Sequence, residues 1–393
     1  MTTSHQMTCA PSTPLSWHKM ITIEQISDIH HFEHLRDNWT AIFNALKTTT
    51  IFMSYEWCYY WWKHYGHNRK LLILLFKKGG SIIGIAPLMI ERCYFNFNPV
   101  TSLKFIGEGL SDRTEFLFLE DVEQCFLSLM RYLENTVTQW QLVQLRELNL
   151  NLALDHLMNG QRSKSVLLSS ARGTMCPYMD LGDNFSAFTK SLKKSLLKSI
   201  RNRQRKLSHA GTIDFVRIKN DSSIGDYLLQ AAALEKKSWK GKEGKGIFGA
   251  DTDIAFHTEL ALAIQEKGWL DLFFLRINDQ PVCYQYGFTL HDSYLAYNSA
   301  YDPAFSDYSP GNQLRLKHIE LFIAEGIRKY DHLRGSELYK FAWPVHPQFN
   351  HNLIIYKNNL YSRYLLFLEK TAKPLLKKLL GKTIDHHGEQ SFS

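Results

Sequence analysis

One short pattern occurs twice, and it limits the fold more than any other feature of the chain. Phe76-Lys-Lys-Gly-Gly-Ser-Ile-Ile-Gly84 aligns without gaps on Leu275-Arg-Ile-Asn-Asp-Gln-Pro-Val-Cys283. The match is one of residue kind, not identity: an apolar run, a polar turn, and a second apolar run. Gly79-Gly80 supplies the positive φ that a two-residue hairpin turn requires, and Asn278-Asp279 is the next best pair for it. Two such hairpins, each expected within a longer alternation of strands and helices, point to two similar α/β halves. The length of 393 residues agrees, being too great for one ordinary core and about right for two.

The remaining periodicity fills in the halves. Helical spacing covers Glu24 to about Leu46 and again Met53–Tyr65, an unusually aromatic stretch for which Ser54 is placed as N-cap. Strands are expected at Lys70–Phe76, Ser81–Ile90, Ser102–Ile106, Glu115–Leu119, Leu142–Leu148 and Ser165–Ser169, with a helix over Val122–Thr138. After Cys176-Pro177 the pattern restarts with a basic amphipathic helix, Phe185–His209, ended by Gly211. A strand at Thr212–Lys219, a helix at Ile224–Trp239, a glycine- and lysine-rich loop at Lys240–Gly249 and a helix at Asp253–Lys267 follow. Three strands come next (Trp269–Ile277, Val282–Leu290, Ser293–Ala300), then a helix from Pro310 to Gly326 and a strand at Lys329–Leu333. The last element is an amphipathic helix over Leu360–Leu380. The implied division is a polar tail over 1–20, one domain over 21–172, a second over 173–345, and a C-terminal helix and tail over 346–393.

Charge narrows the choice of partner. The net charge is +8, and the segment from Lys190 to Lys206 holds eight Lys and Arg with no acid, so the whole excess sits in one place. Lys190, Lys194, Lys198, Arg201 and Arg205 recur at helical spacing and form a single stripe opposite Leu192, Leu196, Ile200 and Leu207. Such a stripe suits a phosphorylated ligand, and Lys194, Lys198 and Arg201 are the candidates to touch it; the other reading is a solvated face. Six cysteines are scattered without a CxxC pair or ligand-spaced histidines, so no metal site is expected and reduced thiols fit best. Met1–Trp17 lacks the basic and apolar regions of an export signal, and no run approaches the ~18 apolar residues of a membrane span. The chain therefore reads as soluble and cytoplasmic.

The stretch Tyr294–Leu333 carries the chemistry best. A strand runs into a loop, Pro310-Gly311-Asn312 opens a helix, and the helix leads to a strand. Unpaired N–H groups and the dipole at a helix start attract phosphates, and Gly311 allows close approach. An ordinary strand–loop–helix with Pro at the first turn remains the alternative.

Read together, SYEWCYYWW (54–62), GGSIIGIAPL (79–88), FIGEGLSD (105–112), SWKG (238–241), GWLDLFFLR (268–276), AYDPAFSDYSPGNQL (300–314) and DHLRGSELYKFAW (331–343) resemble the CelD-type acyltransferases. That family belongs to the GNAT superfamily and is named for a link to bacterial cellulose biosynthesis. It is similar in turn to the FemAB-type aminoacyltransferases, which carry paired GNAT folds, a basic helix like Lys190–Gly211 and a C-terminal Tyr-Lys like Tyr339-Lys340. The resemblance implies an α/β (α+β) fold of two GNAT-like domains, each a mixed, mostly antiparallel sheet flanked by helices. It implies acyl transfer from acetyl-CoA or another acyl-CoA to an amine or hydroxyl of a small-molecule acceptor, which could be phosphorylated, a sugar nucleotide or envelope-related. The donor's pyrophosphate would rest on Tyr308, Ser309, Gly311 and Asn312, although only one glycine stands where the usual GNAT loop has two. Asp112 or Glu337 would act as base, with Arg334 and Lys340 stabilising negative charge. Trp239, Lys240, Asp302 and Tyr339 would contact the acceptor. A tRNA-dependent FemAB-type transferase and a non-catalytic GNAT-like scaffold are the two rivals.

Overall fold

The computed structural model describes residues 20–149 and 166–375. The first half runs β1 (Thr22–Ile26), α1 (Ile29–Glu33), α2 (Arg36–Ala45), α3 (Tyr55–Tyr65), β2 (Lys70–Lys78), β3 (Ser81–Phe95), β4 (Asn98–Phe105), β5 (Leu117–Phe118), α4 (Val122–Asn135), β6 (Leu142–Leu148) and β7 (Val166–Met175). The second runs β8 (Tyr178–Asp180), α5 (Phe185–Ser191), α6 (Lys194–Leu207), β9 (Ile213–Ile218), α7 (Ile224–Lys237), α8 (Trp239–Lys242), α9 (Asp251–Gln265), β10 (Leu270–Ile277), β11 (Gln280–Leu290), β12 (Ser293–Tyr301), α10 (Pro310–Ala324) and β13 (Lys329–Asp331). Finally β14 (Phe349–Lys357) and α11 (Leu360–Phe367) close the described chain.

The strands form two sheets of the same plan. One has the order β1-β2-β3-β4-β6-β14-β7, with β5 beside β3; the other has the order β8-β13-β12-β11-β10-β9. In each, four antiparallel strands are followed by a parallel neighbour held over three residue pairs only: Ser102–Lys104 with Leu142–Gln144, and Ser293–Leu295 with Lys329–Asp331. The repeated nine-residue pattern is the same hairpin in both sheets. Phe76 pairs with Gly84 and Leu275 with Cys283, and each ladder shifts register at the next residue. Gly79 and Gly80, and in the other copy Asn278 and Asp279, all take positive φ at the turn.

The two sheets face one another across a shared core. Alternate residues of β2 (Leu71, Ile73, Leu75) and of β10 (Leu270, Leu272, Phe274) point into that core, together with Trp39, Trp57, Phe256 and Leu260 from the helices between. The opposite face of β2 (Leu72, Leu74, Phe76) packs under α4, and that of β10 (Phe273, Leu275, Ile277) under α6 and α10. Both strands are apolar on both faces for this reason. The aromatic helix α3 is therefore a packing element: Ser54 accepts from Trp57 N as N-cap, Trp57 meets Phe256 edge-on, and Lys63 pairs with Glu259.

Several expected boundaries shift. Thr22–Ile26 is a strand on β2, where helical spacing was expected from Glu24. The basic helix is broken at Leu192-Lys193 into α5 and α6. The strand after α10 stops at Asp331, because Leu333 turns into a left-handed conformation at φ 54°. The Lys240–Gly249 segment is not all loop but starts as α8. Two strands were not anticipated: β8, and β14, which lies between β6 and β7 of the first sheet. The final helix ends its α-helical part at Phe367 and continues as a π-helical turn, Leu368–Ala372; its last expected residues, the N-terminal tail, Cys9 and the His386-His387 pair lie outside the described residues. The other five cysteines are free thiols, and no helix among the described residues is long and apolar enough to cross a membrane.

Candidate functional site

The site arises where β12 outruns β13. β12 has nine residues, but β13 pairs only with its first three, Ser293–Leu295. Beyond that point the strands part, and the next four residues of β12 line a cavity of ≈ 40 Å³, enough for a few waters or one small polar group. Ala296, Tyr297, Asn298 and Ser299 form one wall; His332, Arg334, Glu337, Tyr339 and Lys340 from the chain after β13 form the other; Lys240, Gln285 and Arg315 complete it.

This lining is polar, and the partners of each charge can be traced. Arg334 donates from its backbone N (3.2 Å) and Nε (2.5 Å) to Asp112, and from Nη2 to Gly109 O at 2.9 Å. Lys340, 3% exposed, donates from Nζ to Arg334 O at 2.6 Å and to Gly335 O at 3.3 Å, and pairs with Glu337 Oε2 at 2.9 Å. Its ammonium thus has two carbonyl acceptors and one carboxylate ion-pair partner. Burial alone would raise the Glu337 carboxyl, but Lys340 and, more weakly, Lys240 outweigh it and hold Glu337 below the ordinary carboxylate range. Lys240 donates to Asn298 Oδ1 at 2.5 Å, and Asn298 in turn donates to the buried Glu235 at 2.5 Å. Burial pulls the Lys240 ammonium below its ordinary value, in spite of Glu235 and Glu337. His332 is buried, its Nε2 has no partner, and desolvation with the charges of Arg315 and Lys340 keeps its pKa well below the usual value. It is neutral at physiological pH, with a ring nitrogen free beside the cavity.

The α10 start adjoins this cavity. Ser309 sits at φ 49°, ψ 54° and caps the helix by conformation, with no side-chain bond to it. Arg203 of α6 reaches across and donates to Ser309 Oγ at 2.8 Å, which ties the basic helix to the loop. A Cβ built on Gly311 would meet no atom within 4 Å, so the face above it is open. One turn further on, Arg315 lies over the rings of Tyr339 (5.1 Å) and Trp343 (5.5 Å), and Trp343 Nε1 donates to Asn312 Oδ1 at 3.4 Å. The helix start and the cavity are thus joined through Trp343. These residues fit an acyl donor lying from the helix start into the parted strands: an open glycine at the positive end of the helix dipole and nearby cations, although the N–H groups of Asn312 and Gln313 already donate to Ser309 O.

The first half closes the back of the site. Asp112 clamps Arg334, Arg113 forms a buried pair with Asp331 (2.5 and 3.1 Å), Tyr297 donates to Leu110 O at 3.0 Å, and Asn350 donates to Asp112 O at 2.7 Å.

Of the residues expected from the sequence, Lys240, Arg334, Glu337, Tyr339 and Lys340 come together around the cavity, with Asp112 directly behind. Tyr308, Ser309, Gly311 and Asn312 lie at the α10 start. Asp302 lies outside the lining; it caps a turn by accepting from Ala304 N and pairs with Lys237. Trp239 is half-exposed, with Lys245 over its ring, also outside the lining. Lys194, Lys198 and Arg201 are exposed along α6. Arg315 and His332 were missed, although His332 lies within the DHLRG segment; a lone basic residue inside a helix or at a strand end gives no local sign that it is buried. Among the described residues, no group of three His, Cys, Asp or Glu is arranged to hold a metal.

Residues 194–341 match the profile of an Acetyltransferase (GNAT) domain, a span that contains α6, the α10 start and the cavity. No curated protein matches the chain. Among solved structures, FemX is similar over 88% of this chain and 98% of its own, at 10% identity and a TM-score of 0.57. A conserved protein of unknown function from Bacteroides thetaiotaomicron is similar over 86% and 100% (11% identity, TM-score 0.53). The C-terminal domain of a protein assigned as a lysylphosphatidylglycerol synthetase from Agrobacterium fabrum is similar over 87% and 96% (10% identity, TM-score 0.50). At these identities the likeness is one of fold, and it extends over both sheets. Residues 194–341 thus carry the profile of a GNAT acetyltransferase domain, which supports an acyltransferase and implies an acyl-coenzyme A co-substrate in general.

Proposed function

We propose that the protein is a cytoplasmic CelD-type acyltransferase that moves an acetyl or other acyl group from its coenzyme A thioester to an amine or hydroxyl of a sugar-containing, envelope- or polysaccharide-related acceptor. The single observation that carries this reading is the parting of β12 from β13 beside the open start of α10, within the residues that match the GNAT profile. The donor's phosphates lie over Tyr308–Asn312, its thioester reaches between the strands, and the acceptor enters from the side of Tyr339 and Lys240.

The side chains divide the work. Of the groups that could take the nucleophile's proton, Asp112 is committed to Arg334, whereas Glu337 Oε2, which faces the Lys340 ammonium, and His332 Nε2 of a neutral ring have no hydrogen-bond partner. Glu337 is the ionised carboxylate that can take that proton, directly or through a water in the cavity, and the neutral His332 ring, held far below its usual pKa, is the weaker base. Lys340 is a positioning residue: its two bonds to carbonyls and its ion pair with Glu337 hold the Arg334–Glu337 turn, and with it the cavity wall, in place.

Calorimetric titration with acetyl-CoA tests the donor site. The wild type binds it, and Gly311→Val, which the open space above Gly311 allows to fold, binds at least about tenfold more weakly. Equal affinity in a folded Gly311→Val variant overturns the donor site. A second reading, aminoacyl transfer from tRNA, is favoured by the exposed cations of α6, which would suit a polyanion. RNase treatment of an active extract separates the two, since only the tRNA reaction is lost.

A further inference from the structure

Two cations face the cavity without a carboxylate partner. Arg315 is 6% exposed, and neither its Nε nor its Nη1 has a hydrogen-bond acceptor. The rings of Tyr339 and Trp343 cover its flat face and orient it, but rings do not satisfy N–H groups in the plane. Lys240 meets Asn298 and no carboxylate within ion-pair distance, and burial lowers its pKa although Glu235, behind Asn298, pulls the other way. The other two cations of the lining are already matched, Arg334 by Asp112 and Lys340 by Glu337. Of the four cations, two are paired directly, Lys240 has the buried Glu235 one step away behind Asn298, and Arg315 is left with no acid of its own beside the cavity. A guanidinium is always ionised, so it cannot relieve the deficit by losing its proton. Keeping such a charge unpaired is strongly unfavourable unless a ligand completes it.

We propose that Arg315 and Lys240 are the receptor for an anionic group, a carboxylate or a single phosphate, on the ligand that enters the cavity between β12 and β13. The size agrees, because ≈ 40 Å³ leaves room for the head of one small anion. Asn298 and Ser299 at the cavity wall are neutral hydrogen-bonding groups that can complete its contacts. That the anion belongs to an acyl acceptor rests on the acyl-transfer reading; that an anion binds here does not. The same chemistry could also come from a phosphate of the coenzyme, and the test separates the two sources.

The full chain is titrated with inorganic phosphate and, separately, with acetate at low ionic strength, and its melting is followed in parallel. One equivalent of at least one probe binds the wild type and raises its melting temperature. Arg315→Gln weakens that binding about tenfold or more, as expected for loss of a charged hydrogen bond. It also melts higher than the wild type when no anion is present, because the unpaired charge is gone. That rise would not follow from a merely structural arginine. Lys240→Gln weakens binding in the same direction and carries the test if Arg315→Gln does not fold. The titration is then repeated with saturating coenzyme A. Loss of probe binding makes a coenzyme phosphate the occupant, and retention makes it the acceptor's group. If coenzyme A itself does not bind while the probes do, the acyl-CoA reading fails and the anion site stands. A wild type that neither binds nor is stabilised by either probe overturns the proposal, as does a folded Arg315→Gln that binds like the wild type.

Discussion

The two halves use one plan and differ at one junction. In both, a helix lies between the last antiparallel strand and its short parallel neighbour, and in both the residue before that helix is left-handed: Asp121 at φ 48°, Ser309 at φ 49°. After Asp121 come Val122 and Glu123, and the two acids there would repel a phosphate; after Ser309 come Pro310 and Gly311. The parting strands differ in the same sense. Past the three pairs of β4 with β6, Thr114 returns to form a bridge with Leu148, and its hydroxyl donates to Arg146 O at 2.6 Å. The gap in the first sheet is thereby filled by the loop that follows β4. In the second sheet β12 runs on alone, and the gap stays open as the cavity. Of two sheets built on one plan, one thus leaves a cavity at this junction and the other forms its back wall.

This contrast can be broken most severely by filling the open gap. Ser299→Phe should lower kcat/KM by about 10²-fold or more, since small displacements of reacting groups carry penalties of that size. A steady-state assay on a variant whose melting is unchanged would check it, and near-normal turnover would mean that the cavity is not the reaction site. The next effect falls on the joint between the halves. Arg113→Met leaves Asp331, 1% exposed, beside only Lys329 at 3.3 Å and the Leu333 amide, and should cost about 3–5 kcal/mol in denaturant unfolding.

Acid should then soften the halves unequally. His257, His318 and His332 are fully or almost fully buried, and all three lie in the second half. Desolvation holds each below 6.5, His257 at about 3, so the folded chain stays neutral there while the unfolded chain takes up protons as pH falls. Stability is whole above pH 6.5 and drops below it, by up to about 1.4 kcal/mol per pH unit for each histidine. Hydrogen exchange between pH 6.5 and 4 should show β10–β12 opening before β2–β4; simultaneous loss would contradict the assignment. The smallest effect sharpens the contrast on the surface. Replacing Lys194, Lys198 and Arg201 by Gln should change stability by no more than about 0.5 kcal/mol. If α6 holds a polyanion, the slope of log affinity against log salt should fall by nearly one unit for each phosphate no longer neutralised; an unchanged slope leaves α6 a solvated face.

What could be read from the sequence followed how local the physics was. The hairpins at Gly79-Gly80 and Asn278-Asp279 were legible to the residue, because turn conformation is set by the turn residues themselves. Ser54 as an N-cap and Pro310 at a helix start were legible for the same reason. Thr22–Ile26 was not, because its extended form depends on pairing with Ile73–Lys77, and local spacing read it into the following helix. β14 pairs with residues about two hundred positions earlier, a choice that no window of sequence contains. In the site, Arg334, Glu337, Tyr339 and Lys340 were found because they stand together. Arg315 lies in the run Leu314–Glu320, whose charges look like any helix surface; only the packing of Tyr339 and Trp343 over it shows that it faces inward.

The place of β14 also sets an order of events as the chain is made. Leu353 pairs with Leu145 on one side and Ser170 on the other, so the backbone ladder between β6 and β7 runs through a strand that leaves the ribosome after the whole second half. Until residue 357 has emerged, the first sheet has two unpaired edges flanking a vacant slot, the kind of surface that invites wrong partners. β14 must find that slot after the whole second half has intervened, a non-local closure that slows folding. A nascent chain stalled before Phe349 therefore carries all of its cleft residues but an unfinished back wall, without the Asn350 that holds Asp112 and Glu147 in register.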